Sequence, residues 1–164
     1  MTRQGEALGP SGSSRGAGNP YVISVDYNRS FKEAVKASRC DWFDSQISSF
    51  SSPATRKGTA EVKIELIHFD EDISTNEVLH DLDRMGLRPA DLHELLAFGE
   101  GYPDISLRFP VVGLGSVGLG WHEESIVPYL FQAVGRIEQI ALYCMETDYI
   151  WGPDCRFAAV RRAV

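Results

Sequence analysis

The residues that most resemble a chemical motif are Gly113, Gly115 and Gly118, which spell G-x-G-x-x-G directly after a strand-like apolar run. In dinucleotide-binding proteins such a loop opens a helix whose N-terminal amides hold the pyrophosphate. Here the next segment, residues 119–128, lacks an apolar helical stripe and ends in a proline. We therefore predict that these glycines shape a bent or bulged strand and its turn, and we expect no cofactor.

The sequence signals for a metal site are also weak. The four histidines form neither H-x3-H nor H-E-x-x-H, so no metal site is predicted at His68, His80, His93 and His122. Residues 70–76 place oxygen-bearing side chains at alternate positions, as a calcium loop does. Thr75 occupies the place where that loop requires glycine. A helix cap at Ser74 explains this segment better, and a cation there remains the alternative.

No catalytic residue is assigned from local motifs. Ser116 lacks the final glycine of a G-x-S-x-G nucleophile motif, and Cys40 has no histidine nearby in the chain. Cys144 and Cys155 give no disulfide framework, although a bridge between them stays open for an exported protein.

The feature that does stand out is a run of aromatic residues interleaved with polar ones between Trp121 and Trp151. Rings on loops suit a recognition surface because they offer large contact area at low entropic cost. The alternative is that about half of these rings fill the core of a small sheet. The predicted binding residues are Trp121, His122, Glu123, Glu124, Phe131, Gln132, Tyr143, Met145, Thr147, Asp148, Tyr149 and Trp151.

Composition limits the partners. The chain has 164 residues and a net charge of −7, which disfavours non-specific binding to nucleic acid or to an anionic membrane. No apolar run is long enough to span a bilayer, and residues 1–19 lack the apolar core of a secretory signal. We therefore expect a cytoplasmic protein that binds a protein or a small ligand.

The elements that must position these residues begin after a leader, residues 1–19, whose Gly, Ser and Pro content predicts disorder. A single domain is predicted over residues 20–164, with its core in residues 60–164. Residues 21–27 are strand-like, and residues 30–38 have helical spacing. Residues 48–58 are typical of a loop.

Two further helices are clearly delimited. Capping boxes at Ser74 and Asp91, each followed three residues later by a glutamate, predict helices that end at Gly86 and Gly99. Strands are predicted over residues 60–68, 111–114, 126–131, 137–144 and 156–161. Pro128 suggests that its strand lies at an edge or carries a bulge. This order favours an α+β fold with two short helices packed on a small, mainly antiparallel sheet.

Three segments carry a resemblance to a family: Gly86–Gly99, with G-x-R-P-A and E-L-L-A-F-G; Phe109–Ser116, F-P-V-V-G-L-G-S; and the terminal Arg156–Arg161, R-F-A-A-V-R. The chain resembles a set of small uncharacterised bacterial proteins over residues 65–162. That pattern in turn resembles the C-type-lectin-like target proteins of diversity-generating retroelements and relatives of formylglycine-generating enzymes.

The resemblance implies a C-type-lectin-like fold in which Arg88 opens the second helix and Arg156 lies in the last strand. The ligand face would then fall between Trp121 and Cys155. The catalytic cysteines of formylglycine-type enzymes have no counterparts here, and the stretch lacks the asparagines that adenine-directed diversification leaves.

The leading hypothesis is a non-catalytic binding module that presents residues 121–154 to a ligand. One alternative is an enzyme, or an enzyme-associated domain, that uses His122, Glu123, Glu124 or Cys155. A second is a structural interaction domain in a larger complex. The binding-module hypothesis requires the rings to be exposed. The enzyme hypothesis requires His122, Cys155 and carboxylates to converge in one cleft.

Overall fold

The structure is a computed structural model that describes residues 19–40, 42–50 and 56–162. The predicted disordered leader lies outside the described residues except for Asn19. The described elements follow the order β1 (Tyr21–Asp26), α1 (Phe31–Ser38), β2 (Trp42–Phe43), a 3-10 helix (Ser45–Ser49), β3 (Thr59–His68), β4 (Ile73–Ser74), α2 (Thr75–Arg84), β5 (Leu87–Pro89), α3 (Leu92–Gly101), α4 (Pro103–Arg108), β6 (Val111–Val112), β7 (Gly118–Leu119), β8 (Ser125–Ala133), β9 (Arg136–Glu146), β10 (Ile150–Trp151) and β11 (Arg156–Arg161).

One nine-stranded sheet organises the chain. Its main path runs β1-β3-β11-β6-β8-β9-β2, with β5 attached to β11 and β7 attached to β8, while β4 and β10 form a separate pair. The β11–β6 and β2–β9 pairs are parallel, and the other pairs are antiparallel. The α+β class is therefore confirmed. The sheet is not small, however, and the described residues form four α-helices: the three predicted along the chain and α4, which was not predicted.

The sheet separates two apolar clusters. Because neighbouring strand residues point to opposite faces, Ala158 packs beneath α1, α3 and α4, whereas Phe157 packs beneath α2, β4 and β10. The core also begins before residue 60, since Ile23 and Val25 of β1 are buried in the first cluster. Helices on both faces thus cover the central strands.

The predicted helix starts are confirmed. The side chains of Ser30, Ser74 and Asp91 each accept a hydrogen bond from the amide of the glutamate three residues later. The side chain of that glutamate in turn accepts from the backbone amide of the cap residue. Gly86 follows α2 with a φ of 77°, as expected for a helix end. Gly99 does not end α3, which continues to Gly101.

The role of Gly99 and the presence of α4 depend on tertiary structure and are not evident from the local sequence. A Cβ on Gly99 would lie 2.8 Å from Leu130 Cδ1, so glycine allows α3 to approach β8 closely. The helix α4 begins with Pro103 at its first turn and spans six residues. Such a length is too short for an apolar stripe to be recognised in the sequence.

A buried ion pair joins α3 to the sheet. Glu94 is 0% exposed, and both of its oxygens accept hydrogen bonds from Arg88, at 2.9 and 2.7 Å. The Tyr27 hydroxyl donates to the same carboxylate at 2.6 Å, and the Asp91 amide donates at 2.9 Å. Burial raises the pKa of Glu94, but the hydrogen bonds from Arg88 and Tyr27 outweigh burial and hold that pKa below its usual value.

Asp91 extends the network. Its carboxylate caps α3 and accepts a hydrogen bond from Arg56 at 3.3 Å. Burial raises the pKa of Asp91, and the neighbouring charge of Glu94 adds to that increase. The paired carboxylates therefore have pKa values displaced in opposite directions, and every partner named here serves to hold α3 in place.

The glycine-rich loop packs against the start of the same helix. The Gly115 amide donates to the Ala90 carbonyl at 2.8 Å, and a Cβ on Gly115 would lie 2.6 Å from the carbonyl oxygens of both Pro89 and Ala90. The Ser116 hydroxyl accepts a hydrogen bond from the Leu92 amide at 2.8 Å. The loop leads into the strands β7 and β8 and does not open a helix. Gly115 instead allows close backbone contact with the start of α3.

Pro128 lies in the interior of the sheet, so the prediction of an edge strand is wrong. Its strand β8 pairs with β9 on one side and with β6 and β7 on the other. Pro128 falls in the gap between β6 and β7, where it needs no N–H and its carbonyl accepts from Gly113 at 3.1 Å. A bulge in β8 at Pro128 is not found either: Gln132 pairs with Ile140 and Ala133 with Arg136, so the extra residues of the register shift are in β9.

A glycine substitution tests the close contact between the loop and α3. Gly115→Ala places a methyl group against two backbone oxygens, and we expect the free energy of unfolding to fall by about 1–3 kcal/mol. Gly152→Ala is the matched control, because a Cβ there meets nothing within 4 Å. Urea denaturation of both variants measures the difference. Equal stability of the two variants would contradict the contact.

Candidate functional site

The first group of predicted binding residues lies in an exposed turn. Trp121 is 71% exposed, and its amide donates to the Gln46 side chain at 3.0 Å. The Glu124 carboxylate accepts from the His122 amide at 2.8 Å, and Glu123 has a φ of 67°. This turn is acidic and projects a single ring into solvent, so it offers no enclosing wall for a ligand.

The second group lies in the turn between β9 and β10. Thr147 donates its amide to the Ser125 carbonyl at 3.0 Å, while Asp148 and Tyr149 are exposed. This turn is adjacent to the Trp121 turn at the same end of the β8–β9 hairpin, because Ser125 opens β8. The two turns form one acidic rim.

Trp151 belongs to the core. It is 1% exposed, and its indole N–H donates to the Thr75 hydroxyl at 2.9 Å beneath α2. Its place among the predicted binding residues is corrected, because a ligand on the surface cannot reach it. Met145 is half-buried against the same cluster.

The third group forms a groove on the sheet. Tyr143 of β9 lines an open cavity of about 370 Å³ together with residues from β2, β8 and the hairpin turn. The remaining lining residues are Trp42, Ala133, Val134, Arg136 and Ala141. We call this surface the aromatic groove. Trp42 is 52% exposed and Val134 is 89% exposed, so the walls are apolar and open to solvent.

Register explains why these residues meet. Trp42 lies opposite Ala141, and Tyr129 lies opposite Tyr143, so all four side chains occupy the sheet face that carries α2. The helix α2 and the β4–β10 pair cover this face over Phe157, and none of their residues lines the groove. The aromatic groove is thus the part of the face that the described elements leave uncovered.

A row of rings connects the groove to the core. Trp42 and Tyr143 have centroids 5.6 Å apart, Tyr143 and Tyr129 are stacked at 5.1 Å, and Tyr129 meets Trp151 edge-on at 6.1 Å. The Tyr143 hydroxyl donates to the Gln132 carbonyl at 2.9 Å, which fixes its ring. Burial raises the pKa of Tyr129 to about 12. These contacts hold the floor of the groove rigid.

Of the predicted binding residues, Tyr143 lines this groove, whereas Trp42 and Val134 were missed. Phe131 does not line it but lies opposite Ala141, and Gln132 contributes the carbonyl that accepts from Tyr143. The pair Val134-Gly135 between two strand-like runs is a hairpin signal, and Gly135 has a φ of 76°. That signal indicates an exposed valine at the tip. Nothing local places Trp42 beside β9, because their parallel pairing joins distant parts of the chain.

The residues of the enzyme hypothesis are not brought together. His122, Glu123 and Glu124 lie in the exposed turn, whereas Cys155 is buried in the second cluster. Among residues 19–40, 42–50 and 56–162, no group of three metal-ligating side chains converges. Cys144 and Cys155 are both free thiols, and Ser116 serves as a helix cap.

No family model, no curated protein and no solved structure matches the chain. Within its described part, none of the helices has the length and apolar character to cross a membrane. The aromatic groove and its geometry are therefore the basis for a functional assignment.

Cysteine labelling tests the enzyme hypothesis. Burial raises the pKa of Cys144 to about 12, with a further contribution from Asp44, and burial also raises the pKa of Cys155. Because the thiolate is the reactive form, we expect iodoacetamide to label both residues at pH 8 at least about ten-fold more slowly than free cysteine.

Mass spectrometry of the labelled peptides measures these rates, and the urea-unfolded chain is the control in which both residues react at the rate of free cysteine. Rapid labelling of Cys155 in the folded chain would restore it as a candidate nucleophile.

Proposed function

We propose that the chain is a non-catalytic binding module whose aromatic groove holds an apolar side chain of an extended segment from a protein partner. The observation that carries this proposal is the half-exposed Trp42 ring, which packs against Tyr143 at the wall of a cavity of about 370 Å³. Interfaces concentrate their binding energy in rings of this kind.

The apolar walls support a protein ligand. Apolar residues scattered singly over a surface need no explanation, but contiguous exposed patches mark interaction sites. Trp42, Val134 and Tyr143 line one groove and are not scattered. The charged residue of the lining is Arg136, so the groove lacks the acidic character of the Trp121 turn and does not repel an apolar or acidic segment.

The edge of the sheet supports an extended conformation. The strand β9 has 11 residues, but β2 pairs only with Ala141 and Leu142. The Leu142 carbonyl accepts from the Asp44 amide at 2.9 Å, so the outer side of β9 bonds to backbone that runs beside it. An extended partner segment can lie along β9 beside the groove, with its apolar side chain in the groove.

The C-type-lectin-like arrangement and its link to diversified target proteins stay predictions. The proposed binding does not depend on them, because the groove is defined by its own residues. A comparison of paralogous chains from one genome tests the diversified reading, which predicts differences confined to residues 121–154.

Panning of displayed random peptides tests the proposal. We expect the full chain to select short peptides that share an apolar consensus. Trp42→Ala should weaken the binding of a selected peptide by about 30-fold, because removal of an interface tryptophan typically costs about 2 kcal/mol or more. Isothermal titration calorimetry measures the affinity.

Trp121→Ala is the matched control, since this tryptophan is also exposed but lies at the acidic rim. Its effect should stay within about two-fold, the range of energetically neutral interface positions. Selection of peptides without an apolar consensus would overturn the proposal. Loss of binding in Trp121→Ala with full binding in Trp42→Ala would also overturn it.

A further inference from the structure

A second cavity lies on the opposite face of the sheet. It has a volume of about 210 Å³ and is bordered by Arg108 of α4, Arg156 of β11 and the Phe109 ring between these elements. Tyr21 and Leu66 also line it. Arg156 is even-numbered, like the helix-facing Ala158, so it points away from the aromatic groove. The two cavities are therefore independent.

The two guanidinium groups converge on one ring. The Arg156 Cζ lies 3.7 Å from the Phe109 centroid, and the Arg108 Cζ lies 5.2 Å from it. Cations over an aromatic face are held in position by the ring quadrupole. The Phe109 ring therefore contacts both guanidinium groups at the border of the cavity.

Neither cation is neutralised by an ion pair. In the described part of the chain, no carboxylate oxygen lies within salt-bridge distance of Arg108 or Arg156. Arg156 donates to the Asp154 carbonyl at 2.7 Å. Glu65 also borders the cavity, but its carboxylate is held by Arg161 at 2.8 Å.

Among the described residues, no ion pair offsets the burial of the Arg156 guanidinium. Burial lowers the pKa of Arg156 most, Asp154, Cys155 and Asp70 oppose this, and the charge of Arg108 adds the smallest lowering. A bound anion replaces the lost hydration of the half-buried guanidinium.

We infer that this cavity binds a small organic carboxylate, with the carboxylate held between Arg108 and Arg156 and the apolar body against Tyr21 and Leu66. A guanidinium presents parallel N–H groups that match the two oxygens of a carboxylate. The volume of the cavity equals that of about seven water molecules at roughly 30 Å³ each, so a ligand of the size of benzoate fits and a nucleotide does not.

Titration of the full chain with sodium benzoate at constant ionic strength tests this site, with inorganic phosphate as the second probe. We expect saturable shifts of the amide resonances of residues 105–109 and 155–157, with a dissociation constant on the order of 1 mM. Phosphate should bind more weakly, because it gains nothing from the apolar wall.

Two variants locate the carboxylate. Arg108→Met removes an exposed cation and should weaken benzoate binding at least about five-fold, while Arg156→Lys keeps the charge but loses the fork and should weaken it about ten-fold. Arg84→Met, on the solvent side of α2, is the matched control and should leave binding unchanged. Shifts that stay linear with benzoate concentration would overturn the assignment. Equal affinity in Arg108→Met and Arg84→Met, or tighter binding of phosphate than of benzoate, would overturn it as well.

Discussion

The ion pair between Arg88 and Glu94 is the interaction on which the rest of the structure depends. Both oxygens of a fully buried carboxylate are held by one guanidinium, and the same carboxylate receives the Tyr27 hydroxyl from the end of β1. A buried charge is tolerated only when it is paired and fully hydrogen-bonded. Because these hydrogen bonds join β5, α3 and the residue after β1, they fix the helix that contributes five buried residues to the first core cluster.

The three segments that suggested a family meet around this pair. The segment with Arg88 and Glu94 starts α3, the glycine loop places Gly115 against the Ala90 carbonyl, and β11 accepts the Ala90 amide at the Ala158 carbonyl, at 2.9 Å. Each segment therefore has a structural reason for its residues. The glycines permit close backbone contact, Ser116 caps the helix, and the small side chains of β11 let both layers approach. The motifs describe a scaffold, and none of their residues lines the aromatic groove.

This separation shows what the sequence could predict. The helix starts were predictable because a capping box is a local signal, and β11 was predictable from a short apolar run between turn residues. The position of Trp151 was not, since its burial depends on α2, which is distant in the chain. Trp42 was missed for a similar reason: a strand of two residues gives no periodic signal, and its partner in β9 follows far later.

The candidate site was therefore predicted only in part. Tyr143 was found because it is one of the aromatic residues interleaved with polar ones, but the groove forms where β2, β8, β9 and the hairpin turn meet. How these distant elements meet is a property of the whole fold. For that reason, the acidic turn around Trp121 and the apolar groove around Trp42 could not be told apart from residue types alone.

The most direct test of this account is a double-mutant cycle on the central pair, with Arg88→Met, Glu94→Gln and the combined variant. Urea denaturation at pH 7 gives the free energy of unfolding of each. We predict that the combined variant is more stable than the sum of the single effects by at least about 2 kcal/mol, because each single change leaves a charge without its partner. Effects that add within about 0.5 kcal/mol would contradict the central role of the pair.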